Sequence, residues 1–322
     1  MSEENIAGLV TRAVKQREDN RQWMQFFDEL AHMYNPELET FTAEQTPGTE
    51  RFDEIYISSP QLSRQKFASA IGSFLRPPGT RWLKARARKT PLNFKPEIRA
   101  WLDNAARITY DALYDPRALF EERAAECDDQ IATFNNGILS LHLDKPKGHF
   151  VFKCHSLKDV SPLYDHRGHN IGAQIFVKKK LKHILEMFPE EQLTPKFRQE
   201  RDKGIKGLDT EFELLNLVLP NDELFGFQKR DRFPSVSLWI SVQEKILIDR
   251  KGLLFNPYIF VRINSTTGEK FGRGPSTMAL NDARTANSIA AALLELTEKR
   301  ADPPLTAPAD VIRGSVDRKS VV

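Results

Sequence analysis

Three stretches of the sequence hold side chains that could do chemistry. Asp165, His166 and His169 set a carboxylate and two imidazoles close together, a donor set that suits a divalent metal and, with it, a hydrolytic site. They also flank Gly168, and the solvated loop of a hairpin is the preferred reading. Cys154-His155 offers half of a thiolate–imidazole pair, but neighbours on a strand point to opposite faces, so no catalytic dyad is expected there. Gly272-Arg273-Gly274-Pro275-Ser276 comes nearest to a phosphate-cradling loop. It lacks the lysine that such a loop needs and puts a proline where an amide donor would help. It reads as a tight lead into a helix, with an anion site at the helix N-terminus as the alternative. No Gly-Lys-Ser or Gly-Lys-Thr occurs anywhere, which argues against a nucleoside-triphosphate motor. No catalytic residue, metal ligand or cofactor is expected.

Basic runs stand at Arg81 to Lys89 and Lys178 to Lys182, where exposed cations could meet phosphates. Aromatics are not interleaved with them in a stacking pattern, so they read first as solvated faces or subunit contacts. A nucleic-acid-binding module using residues 81–89 is the rival reading. The whole chain sets 47 basic against 44 acidic residues for a formal charge of +3, too mild to argue for nucleic acid by itself. Two cysteines cannot build a disulfide framework or a four-ligand zinc site. No apolar run is long enough for a membrane span, and the first residues lack the order of a signal peptide; a cytoplasmic site of synthesis, with no membrane partner, is expected.

The elements that would position these residues divide the chain in two. Leu9, Ala13, Trp23, Phe26, Phe27, Leu30 and Ala31 recur at helical spacing, with a break near Asp19-Asn20 and a stop at Pro36. Ser59-Pro60 opens a helix to Leu75, expected to turn Leu62, Phe67, Ala70, Ile71 and Phe74 inward. Trp82 to Arg88 alternates like a half-buried strand, and helices are expected over Pro96 to Tyr114 and Pro116 to Phe134. Past Asn135-Asn136-Gly137 the pattern turns to strands at 138–143, 149–155, 161–164, 170–178, 211–219, 235–242, 245–248 and 258–263, with short helices at 180–188 and 195–203 and a turn at Asp249 to Gly252. The fold class is α+β, a helical part over 1–136 followed by a mainly β part over 137–275.

Ser276 to Arg300 then reads as one long helix, about 37 Å at 1.5 Å per residue. Ala279, Ala283, Ala286, Ala290 and Leu293 line one side of it, while Asn281, Thr285, Ser288, Glu295 and Lys299 form a polar row. Alanine is the best helix former, which is reason enough for the row. The other reading is a helix that packs closely on copies of itself in a ring, since a heterologous contact closes when its rotation divides a full turn.

Several segments, in order, resemble the head-to-tail connector, or portal, family of short-tailed bacteriophages. Tyr34-Asn35-Pro36 closes the opening helices, a small-residue helix from Phe67 runs through Pro77-Pro78-Gly79 to Trp82-Leu83, and Asn135-Asn136-Gly137 precedes the sheet. The most specific part is Gly268 to Pro275 feeding a long helix that ends in Asp302-Pro303-Pro304. The resemblance implies a portal fold and not an enzyme, with 1–275 as wing, 276–300 as stem helix and 301–322 as the beginning of the clip, the rest of the family's length being absent. Gly272, Arg273, Gly274 and Pro275 would be the wing–stem turn, with Arg273 holding carbonyls there, and Asp302, Pro303 and Pro304 the clip start. It further implies a homo-oligomer, a dodecamer, at the portal vertex of the virion. That ring would pass double-stranded DNA in packaging and ejection and contact terminase, a tail adaptor protein, and the major capsid and scaffold proteins.

Overall fold

The computed structural model describes residues 3–38, 41–42, 54–144, 148–221, 233–266 and 268–301. The clip-start residues Asp302, Pro303 and Pro304, and residues 302–322 as a whole, lie outside them.

The opening helical pattern forms α1 (Glu3–Asp19) and α2 (Arg21–Tyr34). Asn20 breaks it with a purpose: its buried amide donates to Ser161 Oγ at 2.8 Å and accepts from Lys270 Nζ at 3.2 Å, so the kink is tied to the sheet and to the loop before the long helix. α2 is amphipathic and buries Phe27, Leu30, Ala31, Met33 and Tyr34. Phe27 meets Phe41, Phe134 and Phe271 with ring centroids 5.3–5.6 Å apart, and these rings form the centre of the main core.

α3 (Ser59–Leu75) starts with Pro60 in its first turn, and its helical bonding ends before Pro77. It lies on α5 (Phe120–Phe134). Arg64 pairs with Asp129 at 2.6 Å and Arg76 pairs with Asp128; Asn35 also donates to Asp129 at 3.0 Å. The expected inward row of α3 is only half realised. Phe67, Ala70 and Ile71 are half-buried, but Leu62 and Phe74 face solvent, Phe74 at 87%. The side of α3 that meets α5 is in part polar, and it displaces the apolar row outward.

Two further expectations are corrected. Residues 82–88 join no sheet: the Asn93 side chain takes the place of a ladder partner, accepting from Ala87 N–H at 2.8 Å and donating to Ala87 O at 3.1 Å. The segment leads through a 3-10 turn at Thr90–Phe94 into α4 (Pro96–Leu113). The helix expected over 116–134 is cut at Leu119, which takes left-handed φ of 54° between a 3-10 turn at Pro116–Ala118 and α5.

The β part consists of two antiparallel sheets. β1 (Asn136–Asp144) lies between β2 (His149–Cys154) and β8 (Tyr258–Arg262). β3 (Val160–Tyr164), β4 (Asn170–Lys180), β5 (Glu211–Pro220), β6 (Ser235–Ser241) and β7 (Ile246–Leu253) pair in sequence order. Leu215, Leu217 and Leu219 pack with Ile6, Val10 and Ala13 of α1, while Leu214 and Val218 serve other clusters, the alternation a strand dictates. The short helices α6 (Leu181–Met187), α7 (Pro195–Asp202) and α8 (Ile205–Leu208) follow β4; Leu181, Ile184 and Phe197 pack against Phe212 and Ile248.

Asp249 to Gly252 is not a turn. Those residues pair with Trp239 to Val236 of β6, and a complete ladder overrides their local turn preference. The chain reverses earlier, at 242–245, where Lys245 has φ of 56°.

Candidate functional site

The long helix α9 (Pro275–Ala301) has 27 residues, about 40 Å at 1.5 Å per residue. The turn that launches it is held from behind by two asparagines. Asn136 donates to Phe134 O at 2.7 Å and Gly272 O at 3.0 Å and accepts from Gly272 N–H at 2.7 Å. Asn135 accepts from Ile263 N–H at 2.9 Å through its carbonyl and donates to Thr277 Oγ1 at 2.9 Å through its side chain. Tyr34 adds a third tie, donating to Ser276 O at 3.0 Å. A Cβ at Gly272 would stand 2.2 Å from Ile263 O, and one at Gly274 2.5 Å from Asn135 Oδ1. Both glycines are therefore there for close backbone approach.

Arg273 does not hold carbonyls. Its guanidinium makes a two-point contact with Glu269 at 3.0 and 3.1 Å and lies over the rings of Trp23 and Phe26. Arg262 does instead what was expected of Arg273, donating to Glu269 O at 3.2 Å and Lys270 O at 3.3 Å with its guanidinium 4.4 Å from the Tyr164 ring centroid. Arg262 sits at the end of β8, beneath the loop, where carbonyls converge; Arg273 is exposed and faces outward. Sequence reasoning missed Asn135 and Asn136 as the turn's anchors, although their adjacency before a strand was visible.

Around α9, at roughly 100° per residue, Ala279, Ala283, Ala286, Ala290 and Leu293 fall within an arc of about 80°. Ser276, Leu280 and Asn287, the buried residues of α9, lie to one side of that arc. Asn287 clamps the chain before α3, accepting from Tyr56 N–H at 2.8 Å and donating to Glu54 O at 2.7 Å. Met278, Ile289 and Leu296 lie to the other side, 77%, 57% and 56% exposed, and the polar row occupies the opposite face. Ala279 and Ala286 are exposed, Ala283 and Ala290 half-buried, and Leu293 faces solvent. The chain's own core thus covers only one edge of a broad apolar and small-residue face.

The profile of a family described as bacteriophage head to tail connecting protein matches residues 7–320. The chain belongs to that family. A head-to-tail connecting protein is structural and not an enzyme, it resides at the junction of head and tail in the virion, and its partners are phage head and tail proteins. No curated relative matches the chain.

The residues with chemical potential take structural roles in this connecting protein. Asp165 accepts from Arg167 N–H at 2.9 Å and His169 N–H at 2.8 Å, closing the β3–β4 turn. The His169 amide bond comes first among the causes that hold its carboxyl below the usual range. Among the described residues no three His, Cys, Asp or Glu side chains gather as a metal site. The Cys154 thiol hydrogen-bonds to Cys127, and that bond and burial push its pKa far up, the opposite of a nucleophile's tuning. Among the described residues no helix is long and apolar enough to cross a membrane.

One pair escaped the sequence reading. Ser140 Oγ stands 2.7 Å from His155 Nε2. Ser140 is fully buried in β1 and burial pushes the His155 pKa down to about 4, so the neutral ring satisfies a buried hydroxyl with no access for a substrate.

Proposed function

We propose that the chain is a portal subunit of a short-tailed phage, assembling as a dodecamer at the portal vertex with α9 as the stem helix around a bore for double-stranded DNA. Residues 1–275 form the wing, which meets major capsid and scaffold proteins, and 301–322 begin the clip, where terminase docks during packaging and a tail adaptor protein afterwards. ATP hydrolysis then belongs to the terminase, and ejection uses the same channel.

The observation that carries this reading is the uncovered side of α9. Met278, Ile289, Leu293 and Leu296 are exposed beside a row of alanines, and a contiguous apolar face of this kind calls for a partner. Alanines let another helix approach closely, and a polar row is left to face a solvated channel. A copy of the same helix, displaced by a constant rotation, satisfies all three faces at once. Arg284, paired with Glu29 of α2 at 2.8 Å, and the Asn287 clamp fix the helix to the wing, so the ring's geometry would pass from wing to stem.

Electron microscopy of the purified protein tests it. Rings with a central hole wide enough for a duplex are expected; a monodisperse monomer at micromolar concentration would overturn the proposal.

A further inference from the structure

Between Arg81 and Arg99 the chain carries seven lysines and arginines and a single acid, Glu97. All seven basic side chains are exposed, and none forms an ion pair among the described residues. The segment is strongly basic on a chain whose total is only +3.

The segment is also held in shape. Trp82 Nε1 donates to Tyr114 Oη at 3.0 Å, and Asn93 brackets Ala87 through both its amide atoms. Between these anchors exposure alternates: Leu83, Ala85 and Ala87 are half-buried, and Lys84, Arg86 and Arg88 stand out. Alternation is the signature of an extended chain, in which side chains two apart share a side at roughly 6.5 Å spacing. Lys84, Arg86 and Arg88 therefore form a straight row of cations about 13 Å long.

We infer that this row, which lies on the wing if the portal reading holds, is a nucleic-acid contact of the protein and that it grips the phosphate backbone of duplex DNA without reading sequence. A linear row of regularly spaced cations complements a linear polyanion better than it complements the scattered carboxylates of a protein surface. The backbone of the row is anchored at both ends before binding, so less ordering opposes the contact. An extended row of cations on one side of the chain follows the phosphates along a strand rather than entering a groove, and phosphate contacts carry no sequence information. Phe94 and Trp101, 80% and 68% exposed nearby, have no stacking partner in a paired duplex and are left out of the contact.

Fluorescence anisotropy of the full-length protein with a labelled 30-base-pair duplex, from 50 to 200 mM NaCl, reads this directly. Each neutralised phosphate contributes about −0.9 to the slope of log K against log salt. The triple variant Lys84→Glu, Arg86→Glu, Arg88→Glu should bind at least about 100-fold more weakly at 50 mM salt and lose roughly 3 from the slope. A control with the same charge change at the exposed residues Arg21, Lys182 and Lys206 should lose far less. Trp101→Ala should leave binding unchanged. Equal losses in both triple variants would reduce the effect to net charge and overturn the inference. So would an unchanged slope in the Lys84, Arg86, Arg88 variant, or binding of polyglutamate with the duplex's affinity and slope, which would mark an acidic-protein site. Ring formation by the variant, checked by microscopy, keeps this outcome apart from the portal reading.

Discussion

Asn136 grips Gly272 by both its backbone groups, donating to the carbonyl at 3.0 Å and accepting from the N–H at 2.7 Å. A side chain at the start of the first sheet thereby acts as a one-residue strand for the turn that launches α9. The contact is fully buried, so its loss leaves backbone groups without partners. Asn136→Ala should destabilise the protein by about 3 kcal/mol, read as a shift of the urea midpoint with unchanged slope. Gly272→Ala should cost at least about 2 kcal/mol, because its methyl would meet Ile263 O.

Two arginines flank that turn and should behave differently. Arg273 is exposed, pairs with a half-buried carboxylate and lies over two rings, contacts worth about 1 kcal/mol together at an exposed site. Arg262 has half-buried carbonyls to satisfy, and Arg262→Ala should cost about 2 kcal/mol. Urea denaturation of the two alanine variants decides the order; a larger loss at Arg273 would return the turn to the arginine first expected to hold it.

What was legible in the sequence followed from periodicity and punctuation. The break at Asn20, the start of α3 at Ser59-Pro60 and the long final helix were readable because Pro and Gly act locally and amphipathic spacing repeats. What was not legible depended on partners distant in sequence. Residues 82–88 have a strand's alternation, but whether a strand forms is decided by a neighbouring ladder, and Asn93 supplied a substitute. Asp249 to Gly252 has turn residues, yet β6 lies alongside. Arg273 and Arg262 are equivalent as letters, and only the fold shows which one lies under the converging carbonyls. The bond from Ser140 to His155 joins β1 to the residue just past β2, in a register that the sequence does not specify.

The two sides of α9 make separable predictions. Leu280 is in the subunit's own core, so Leu280→Ala should lower the stability of the single chain by about 2–4 kcal/mol. Ile289 and Leu293 are exposed in the single chain, so Ile289→Asp with Leu293→Asp should leave its unfolding within about 0.5 kcal/mol of the parent while preventing assembly. Sedimentation velocity beside urea denaturation distinguishes these effects. A double variant that still forms rings would remove α9 from the subunit contact.

The His155 ring gives the fold an acid-sensitive point. Burial is the largest cause holding its pKa down to about 4, against 6.5 for a free imidazole, with Lys153 and His142 adding to the effect. In the unfolded chain the ring takes a proton as pH falls through about 6.5, whereas the folded ring resists until about 4, so between those values the unfolded state binds more protons. Stability should therefore fall as pH drops across that window, by about 3 kcal/mol from this group. His142, also lowered chiefly by burial, acts in the same direction. His155→Gln keeps an acceptor for Ser140 and has no proton to gain, so its stability should decline less steeply from pH 6.5 to 4. Ser140→Ala leaves the buried imidazole in place and should retain the steep decline. Urea midpoints for the three proteins at pH 4.5, 5.5 and 6.5 settle the matter, and identical slopes in all three would place the acid sensitivity elsewhere.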